Sequence, residues 1–377
     1  MLIVVPSETL PGERRVALIP DSVKKLIELG AEVTVQCGAG ELSGFKDEEY
    51  RDAGAQLSSD RNQLLGSGDI VLRVTKPDAA EVSQLKQGAV HISYLDPYNE
   101  TELIQSLASQ GISAISMEMI PRTTLAQKMD ALSSQANLAG YITVILAARK
   151  LDRIFPMMMT PSGTIAPVRV FIIGAGVAGL QAIATAKRLG ARVDAFDTRP
   201  VVAEQVQSLG AKFVEIDLGE TGQTADGYAK QLTEEQLQMQ REGMKQVMAR
   251  SDVVITTAQV FGRPAPRIVT AEMVQAMKPG SVIVDMAVET GGNVEGSALN
   301  EDVVVDGVTI IGLGNLPSEV CRNASEMYSA NLFNLLSEFW DDESKQLQLD
   351  DSNEIVQGCL ITAAGKIVNE TIANLAQ

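Results

Sequence analysis

The chain has 377 residues, 45% hydrophobic and 21% charged, which is enough apolar material for two or three packed domains. Its 31 basic and 48 acidic residues leave a formal charge of −17; that charge repels phosphate backbones and anionic lipid, and so argues against nucleic acid as a partner and against direct membrane insertion. Three scattered cysteines without a CxxC spacing support neither a disulfide framework nor a zinc site, and fit a reduced, cytoplasmic setting.

The opening Met1-Leu2-Ile3-Val4-Val5-Pro6 lacks the basic start and the length of a signal peptide. No stretch reaches the ~18 uninterrupted apolar residues of a membrane span. The single histidine, His91, is the one candidate for a histidine general base.

Residues 2–5 read as a strand. Asp21 then stands as N-cap to a helix bearing Val23, Leu26, Ile27 and Leu29, with Gly30 as its stop. Further strands follow at 32–36, 70–74, 89–93 and 112–115. Strand–helix alternation of this kind specifies a parallel α/β sheet. A long helix is expected from about Leu125 to Arg149. The segment 155–163, with Met157, Met158 and Met159 between prolines, reads as a crossover packed on a neighbouring domain.

A second alternation has strands at 168–173, 192–196, 212–215, 253–257, 282–285 and 309–311, the count of a full dinucleotide fold. A last helix from Ser325 to Trp340 is expected to return to the first domain. The fold class is α/β, with two Rossmann-like domains of parallel sheet separated by a cleft. The boundaries are 1–136 plus 325–377 for the first domain and 137–324 for the second, nucleotide-binding one.

The chemistry-bearing motif opens the second domain. Gly174-Ala175-Gly176-Val177-Ala178-Gly179 follows an apolar strand and starts a helix that Gly190 ends; Asp197 closes the next strand about 20 residues on. The first glycine makes the turn, the second lets backbone approach a pyrophosphate, and the third packs helix on strand. The helix N-terminus supplies N–H groups to the anion. A carboxylate at Asp197 suits ribose hydroxyls and repels a 2′-phosphate, which favours NAD; Arg199, two residues later, could blur that preference. Thr256-Thr257 and Gly312-Leu313-Gly314-Asn315 follow later strands and are candidates for the nicotinamide side. Turn chemistry alone explains them equally well.

In the first domain, Gln127, Asp130, Ser134 and Asn137 recur at three- and four-residue steps, with Ser133 beside them and Arg122 upstream. That pattern is a mostly uncharged helix face. It suits a cleft wall touching a carboxamide or ribose, and equally an ordinary solvated face.

Residues 117–122, 129–141, 155–160 and 176–191 together resemble the NAD(H)-binding subunit of proton-translocating nicotinamide nucleotide transhydrogenase, a family sharing its architecture with alanine dehydrogenase. The resemblance spans nearly the whole chain. It implies that Arg122, Gln127, Asp130 and Ser133 lie at the nicotinamide and its ribose. It implies that Val177 lies at the pyrophosphate, that Asp197, Thr198 and Arg199 lie at the adenosine ribose, and that Gly227 and Tyr228 lie on a loop closing over the nucleotide. The expected cofactor set is completed by Gly174, Gly176, Ala178, Gly179 and Thr257. NADH would be held here and NADP on a partner subunit. The implied assembly is a homodimer with an NADP(H)-binding β subunit and a small membrane α subunit, cytoplasmic and peripheral to an energy-transducing membrane.

Alanine dehydrogenase is the competing enzyme. Its catalytic histidine follows a Tyr-Leu pair, where this chain has Tyr94-Leu95-Asp96, and its substrate lysine aligns near Thr75, with Lys76 one residue away. His91 reads as a packed strand residue. Hydride passing between two nicotinamides needs no base to take a proton, whereas oxidation of an amine or alcohol carbon does. A nucleotide-sensing module without turnover is the non-enzymatic alternative.

Overall fold

A computed structural model describes residues 1–217 and 233–375. The chain forms two compact units: 1–135 with 318–377, and 136–317.

The first unit is built on an eight-stranded sheet. From one edge its order is Lys366–Ile367, Leu360–Ala363, Ser113–Ser116, Val90–Ser93, Ile70–Leu72, Leu2–Val5, Glu32–Gln36, Gln56–Ser58. Six strands are parallel; at one edge the C-terminal hairpin adds Leu360–Ala363, antiparallel to Ser113–Ser116, and Lys366–Ile367, antiparallel in turn to Leu360–Ala363. Leu2–Val5 is apolar throughout because it sits mid-sheet with both faces covered. Ile3 and Val5 enter the core on one face, and Val4 enters the core on the other. Helix Cys321–Glu338 packs Tyr328, Leu332, Leu335 and Leu336 into the first of these cores.

Several boundaries differ from the sequence reading. Asp21 is not an N-cap: helix Pro20–Glu28 begins after Ile19, with proline at its first position and Asp21 in the first turn, where its charge faces the helix dipole. The long helix starts at Ala131 rather than Leu125, because Gln127–Met129 is a 3-10 turn and Asp130 is extended. The chain re-enters the first unit at Ser318 rather than Ser325. Asn315 takes a left-handed φ of 47°, and a 3-10 turn, Leu316–Val320, leads into the helix. The Ser318 hydroxyl donates to the Gly12 carbonyl and accepts from the Arg14 N–H. The short strand Gln56–Ser58 and the helices Asp47–Asp52, Arg61–Ser67 and Ala79–Gln84 are too brief to carry a periodic signature.

The second unit holds a seven-stranded sheet, ordered Lys212–Phe213, Arg192–Phe196, Arg169–Ile173, Val253–Thr256, Val282–Asp285, Val308–Gly312, Glu301–Val305. Six strands are parallel in the doubly wound order, and the seventh, which the sequence reading missed, runs antiparallel at the edge. Val170 and Ile172 face one core, Phe171 and Ile173 the other. Met158–Thr160 and Gly163–Ile165 form a separate two-stranded hairpin. Its methionines are exposed (Met157 57%, Met158 45%, Met159 73%) rather than packed on a neighbour.

Among the described residues, one helix, Ala131–Lys150, is long and apolar enough to cross a membrane by length and mean hydropathy. Its Val144 and Ala147 belong to the second unit's core, and its Gln135 and Thr143 are buried polar groups.

His91 is fully buried in strand Val90–Ser93, with Nε2 3.1 Å from the Ser93 hydroxyl. Burial and then the nearby Arg73 charge depress its pKa to about 3, against the pull of Glu81. The folded state therefore keeps it neutral, while the unfolded chain takes up a proton near pH 6.5. The stability linked to this group is complete above pH 6.5 and declines as pH falls toward 3. Between pH 6.5 and 5.0 the wild type should lose roughly 2 kcal/mol more than His91→Gln. Urea unfolding of both proteins at pH 7.5 and 5.0 measures it, and parallel losses would refute the linkage.

Candidate functional site

The glycine turn follows strand Arg169–Ile173 and opens helix Val177–Arg188, whose N-cap is Gly176 with no side-chain cap. The three glycines are held for different reasons. Gly174 has φ +99°, and a Cβ there would lie 2.6 Å from the Thr257 hydroxyl. A Cβ on Gly179 would lie 1.9 Å from the Gly174 carbonyl oxygen, so helix and turn touch backbone to backbone. A Cβ on Gly176 would meet nothing within 4 Å. The protein leaves open space at the one glycine where a pyrophosphate needs close approach, beside uncapped helix N–H groups. The residues present thus fit a dinucleotide. Behind the turn, a Cβ on Gly140 would come within 2.2 Å of the Ala178 carbonyl oxygen.

Side chains from two other strands brace the turn. Thr257 Oγ1 donates to the Gly174 carbonyl at 3.1 Å. Asp197 Oδ2 accepts from the Ala175 N–H at 2.8 Å. The Asp197 carboxylate also accepts from the Arg199 N–H, Nε and Nη2, each at 2.9 Å. This pairing raises the Arg199 pKa. Arg199 is therefore committed to Asp197. Val177 is exposed at the helix start, Ala178 is buried, and Thr198 is half-buried between Asp197 and Arg199. Gly227 and Tyr228 lie outside the described residues.

Beyond the parallel strands, Asp285 is buried and accepts from the Thr256 hydroxyl and from the N–H groups of Ala287, Asn293 and Val294. Asn293 bridges on to the Ala258 backbone and to the Pro266 carbonyl. This pair shapes the loop after Thr257. Its links to Thr256, Ala258 and Pro266 span 27 to 35 residues, so nothing in the local sequence marks them.

In the first unit the expected polar face is divided. Asp130 precedes the helix, accepting from the Ser133 N–H at 2.9 Å and the Ser133 hydroxyl at 2.6 Å. Arg122 is exposed upstream, as expected, and Gln127 is exposed in the 3-10 turn rather than on the α-helix. Ser134 turns away and donates to Asn331 Oδ1 at 2.7 Å. Asn137 belongs to the second unit. So Asp130 and Ser133 are joined directly, while the sequence-expected helical stripe does not exist as one face.

Sequence reasoning missed two buried clusters. Arg15 is paired with Glu13 at 2.6 Å and donates to Gln135 Oε1 at 2.9 Å. Arg73, 1% exposed, pairs with Glu81 at 2.5 Å and Glu8 at 3.6 Å. Glu8 also accepts from the Val74 and Thr75 N–H groups and the Thr75 hydroxyl, and burial raises its pKa against the pull of Arg73. Lys76 contacts Glu100 at 2.6 Å and Asp96 at 3.6 Å. Thr75, Lys76 and Asp96 are thus all engaged in internal contacts. Gln135, the partner of Arg15, lies 120 residues away, so no local pattern marks the contact.

A doubly wound sheet, a glycine turn open at its middle glycine and a carboxylate at the second strand end define a nicotinamide-nucleotide-binding oxidoreductase. Residues 4–139 match the N-terminal domain of the alanine dehydrogenase/PNT family, and residues 143–370 match its C-terminal domain. The chain is 45% identical to the first portion of the NAD(P) transhydrogenase subunit alpha of Rhodospirillum rubrum, over 99% of both chains. It is 31% identical to an alanine dehydrogenase of Halomonas elongata, covering 86% of this chain and 84% of the relative. The crystal structure of a transhydrogenase from Sinorhizobium meliloti superposes with a TM-score of 0.86 at 42% identity, over 98% of this chain and 100% of the other. The chain belongs to the alanine dehydrogenase/PNT family, and its higher identity is with the transhydrogenase α subunits.

The turn predicts a contrast between its glycines. Gly176→Ala should leave stability within about 0.5 kcal/mol of wild type and weaken NADH binding about tenfold or more, or about 1.4 kcal/mol. Gly179→Ala should cost at least ~2 kcal/mol of stability through backbone overlap. Thermal unfolding and NADH fluorescence titration on both variants decide it; equal destabilisation would contradict the geometry.

Asp197→Ala releases Arg199. NADH affinity should fall about tenfold, and NADPH affinity should rise as the guanidinium becomes available to a 2′-phosphate. Titration of both nucleotides into wild type and variant tests this; equal binding of the two by wild type would remove Asp197 as the discriminator.

Proposed function

We propose that this chain is the NAD(H)-binding subunit of a proton-translocating transhydrogenase, holding NADH for direct hydride transfer to NADP⁺ on a separate NADP(H)-binding β subunit. The observation that carries this reading is the placement of the chain's single histidine. His91 is sealed in a strand and neutral, while Asp96 and Thr75 stand at the competing enzyme's catalytic and substrate positions. Bound NADH supplies the hydride. What the protein adds is position.

The roles follow the chemistry of each group. Gly174, Gly176, Val177, Ala178 and Gly179 hold the pyrophosphate with backbone N–H groups. Asp197, Thr198 and Arg199 hold the adenosine ribose, and Thr257 keeps the turn in shape. Asp130 and Ser133 orient the nicotinamide ribose as one hydrogen-bonded unit, with Arg122 and Gln127 beside the ring. Transfer between two nicotinamides moves no proton at the reacting carbons, so orientation and water exclusion suffice. The subunit works as a homodimer, peripheral to the membrane through the β subunit and a small membrane α subunit, which couple the reaction to proton movement.

Stopped-flow mixing of the NADH-loaded chain with a purified NADP(H)-binding subunit should show rapid NADH oxidation. Ser133→Ala should slow that phase about tenfold while leaving NADH affinity within about threefold, as expected for a group that orients the ring. Absence of the rapid phase would sink the assignment. NADH oxidation driven by pyruvate and ammonia in the chain alone would establish an amino-acid dehydrogenase instead.

A further inference from the structure

The order of the second unit's sheet reverses between strands Arg169–Ile173 and Val253–Thr256. In open α/β sheets the ligand crevice lies beyond the carboxyl ends of the two strands at that reversal. The glycine turn follows the first strand, and residues 257–266 follow the second. The Thr257 N–H still donates to the Ile173 carbonyl at 2.9 Å, but the ladder between the strands stops at Thr256. Ala258 is met by a side chain instead. Asn293 Oδ1 accepts from the Ala258 N–H at 3.1 Å, and Asn293 Nδ2 donates to the Ala258 carbonyl at 2.8 Å. One carboxamide thus does for Ala258 what a neighbouring strand's peptide does in a sheet. Nδ2 also donates to the Pro266 carbonyl at 2.9 Å, so the same group ties both ends of residues 258–266.

Asn293 is itself held firmly. It is fully buried, and its N–H and that of Val294 donate to Asp285, which is fully buried at the end of strand Val282–Asp285. A Cβ on Gly292, whose φ is +80°, would come within 2.6 Å of Asp285 Oδ2. The Asn293 carbonyl accepts from the Ile268 and Val269 N–H groups, both at 2.9 Å. At the far end of these contacts stands the glycine turn. A Cβ on Gly174 would lie 3.4 Å from both the Ala258 nitrogen and the Thr257 carbonyl carbon, and Thr257 Oγ1 donates to the Gly174 carbonyl. That carbonyl oxygen is the atom on which Gly179 closes.

We propose that Asn293, seated by Asp285, is a positioning residue for the nucleotide. It holds Thr257 and Ala258 against the glycine turn, and so sets where the N–H groups facing the pyrophosphate point. The inference rests on the nucleotide-binding reading of the turn and adds a residue that the glycine fingerprint does not contain. Its placement has a physical reason. A strand laid beside Ala258 would satisfy the same backbone groups but occupy the crevice. A side chain reaching across from the next strand's end satisfies them and leaves the crevice open.

The turn grips the pyrophosphate alike before and during hydride transfer, so loss of the clamp removes uniform binding. Asn293→Ala should weaken NADH binding about tenfold in fluorescence titration. In transfer to an NADP(H)-binding subunit it should raise KM for NADH about tenfold with kcat within about threefold. Thr257→Val removes the hydroxyl through which the clamp acts; added to Asn293→Ala, it should deepen the affinity loss by less than about twofold, whereas independent effects multiply. Hydrogen exchange on the nucleotide-free protein gives a local reading. The Gly174, Ala175 and Leu180 amides should exchange at least about fivefold faster in Asn293→Ala, with strand Val308–Gly312 unchanged, whereas a general loss of stability quickens both. Should Asn293→Ala fail to fold, Asn293→Ser takes its place in each comparison. Wild-type NADH affinity in the variant overturns the proposal, as do fully multiplying losses in the double variant, a fall in kcat at constant KM, or exchange that quickens equally in both places. A wild type that binds NADH but passes no hydride to the partner subunit removes the transhydrogenase reading and leaves the clamp. A wild type that passes hydride, beside a variant of unchanged NADH affinity, removes the clamp and leaves that reading.

Discussion

The approach of Gly179 to the Gly174 carbonyl oxygen is the constraint around which the second unit is organised. With no room for a Cβ between them, helix Val177–Arg188 starts directly on the end of its strand. Its first N–H groups then face outward past Gly176 instead of being capped by a side chain. Everything that braces the turn comes from neighbouring strands: the Thr257 hydroxyl on the Gly174 carbonyl, and Asp197 on the Ala175 N–H. One steric contact thus fixes the helix start, and three strands share the work of keeping it there.

The first unit follows a different logic. Its strand ends gather charge, and most of that charge is neutralised internally: Arg15 by Glu13, Arg73 by Glu8 and Glu81, Lys76 by Glu100. The Arg15 and Arg73 pairs are buried, unlike Lys76–Glu100; buried pairs contribute little net stability, but removing one partner is costly, so they hold a geometry. They also leave the neighbourhood poor in groups ready to exchange protons with a small substrate. A site that only orients a nicotinamide can accept that, and a site that oxidises an amine cannot.

How much was legible follows from the range of each signal. The turn could be read because all its requirements fall within residues 169–197: strand, three glycines, helix, strand, carboxylate. The main strands could be read because they are apolar on both faces. The polar stripe was misread because residues 127–137 have helical spacing without helical backbone at their start; Asp130 prefers to take the Ser133 N–H from an extended conformation, a local competition that periodicity does not report. The Arg15–Gln135 contact, the bridge from Asn293 to Ala258 and Pro266, and the antiparallel edge strand Glu301–Val305 depend on tertiary placement and leave no local pattern. The exposed methionines were misplaced for a related reason: composition identifies an apolar segment but not whether anything covers it.

Asp197 and Arg199 show why a motif is not yet a specificity. In sequence the two charges pull in opposite directions, one toward a ribose and the other toward a 2′-phosphate. In the fold they cancel each other. The carboxylate already receives four N–H donors, three of them from Arg199, which is about the capacity of its lone pairs. A ribose hydroxyl can replace one of those donors at small cost, because the hydroxyl is itself a donor. A 2′-phosphate can recruit Arg199 only by separating it from Asp197, and would then stand beside an uncompensated carboxylate. On the proposed reading, discrimination against a 2′-phosphate resides in the ion pair, with Arg199 acting as a cation already claimed.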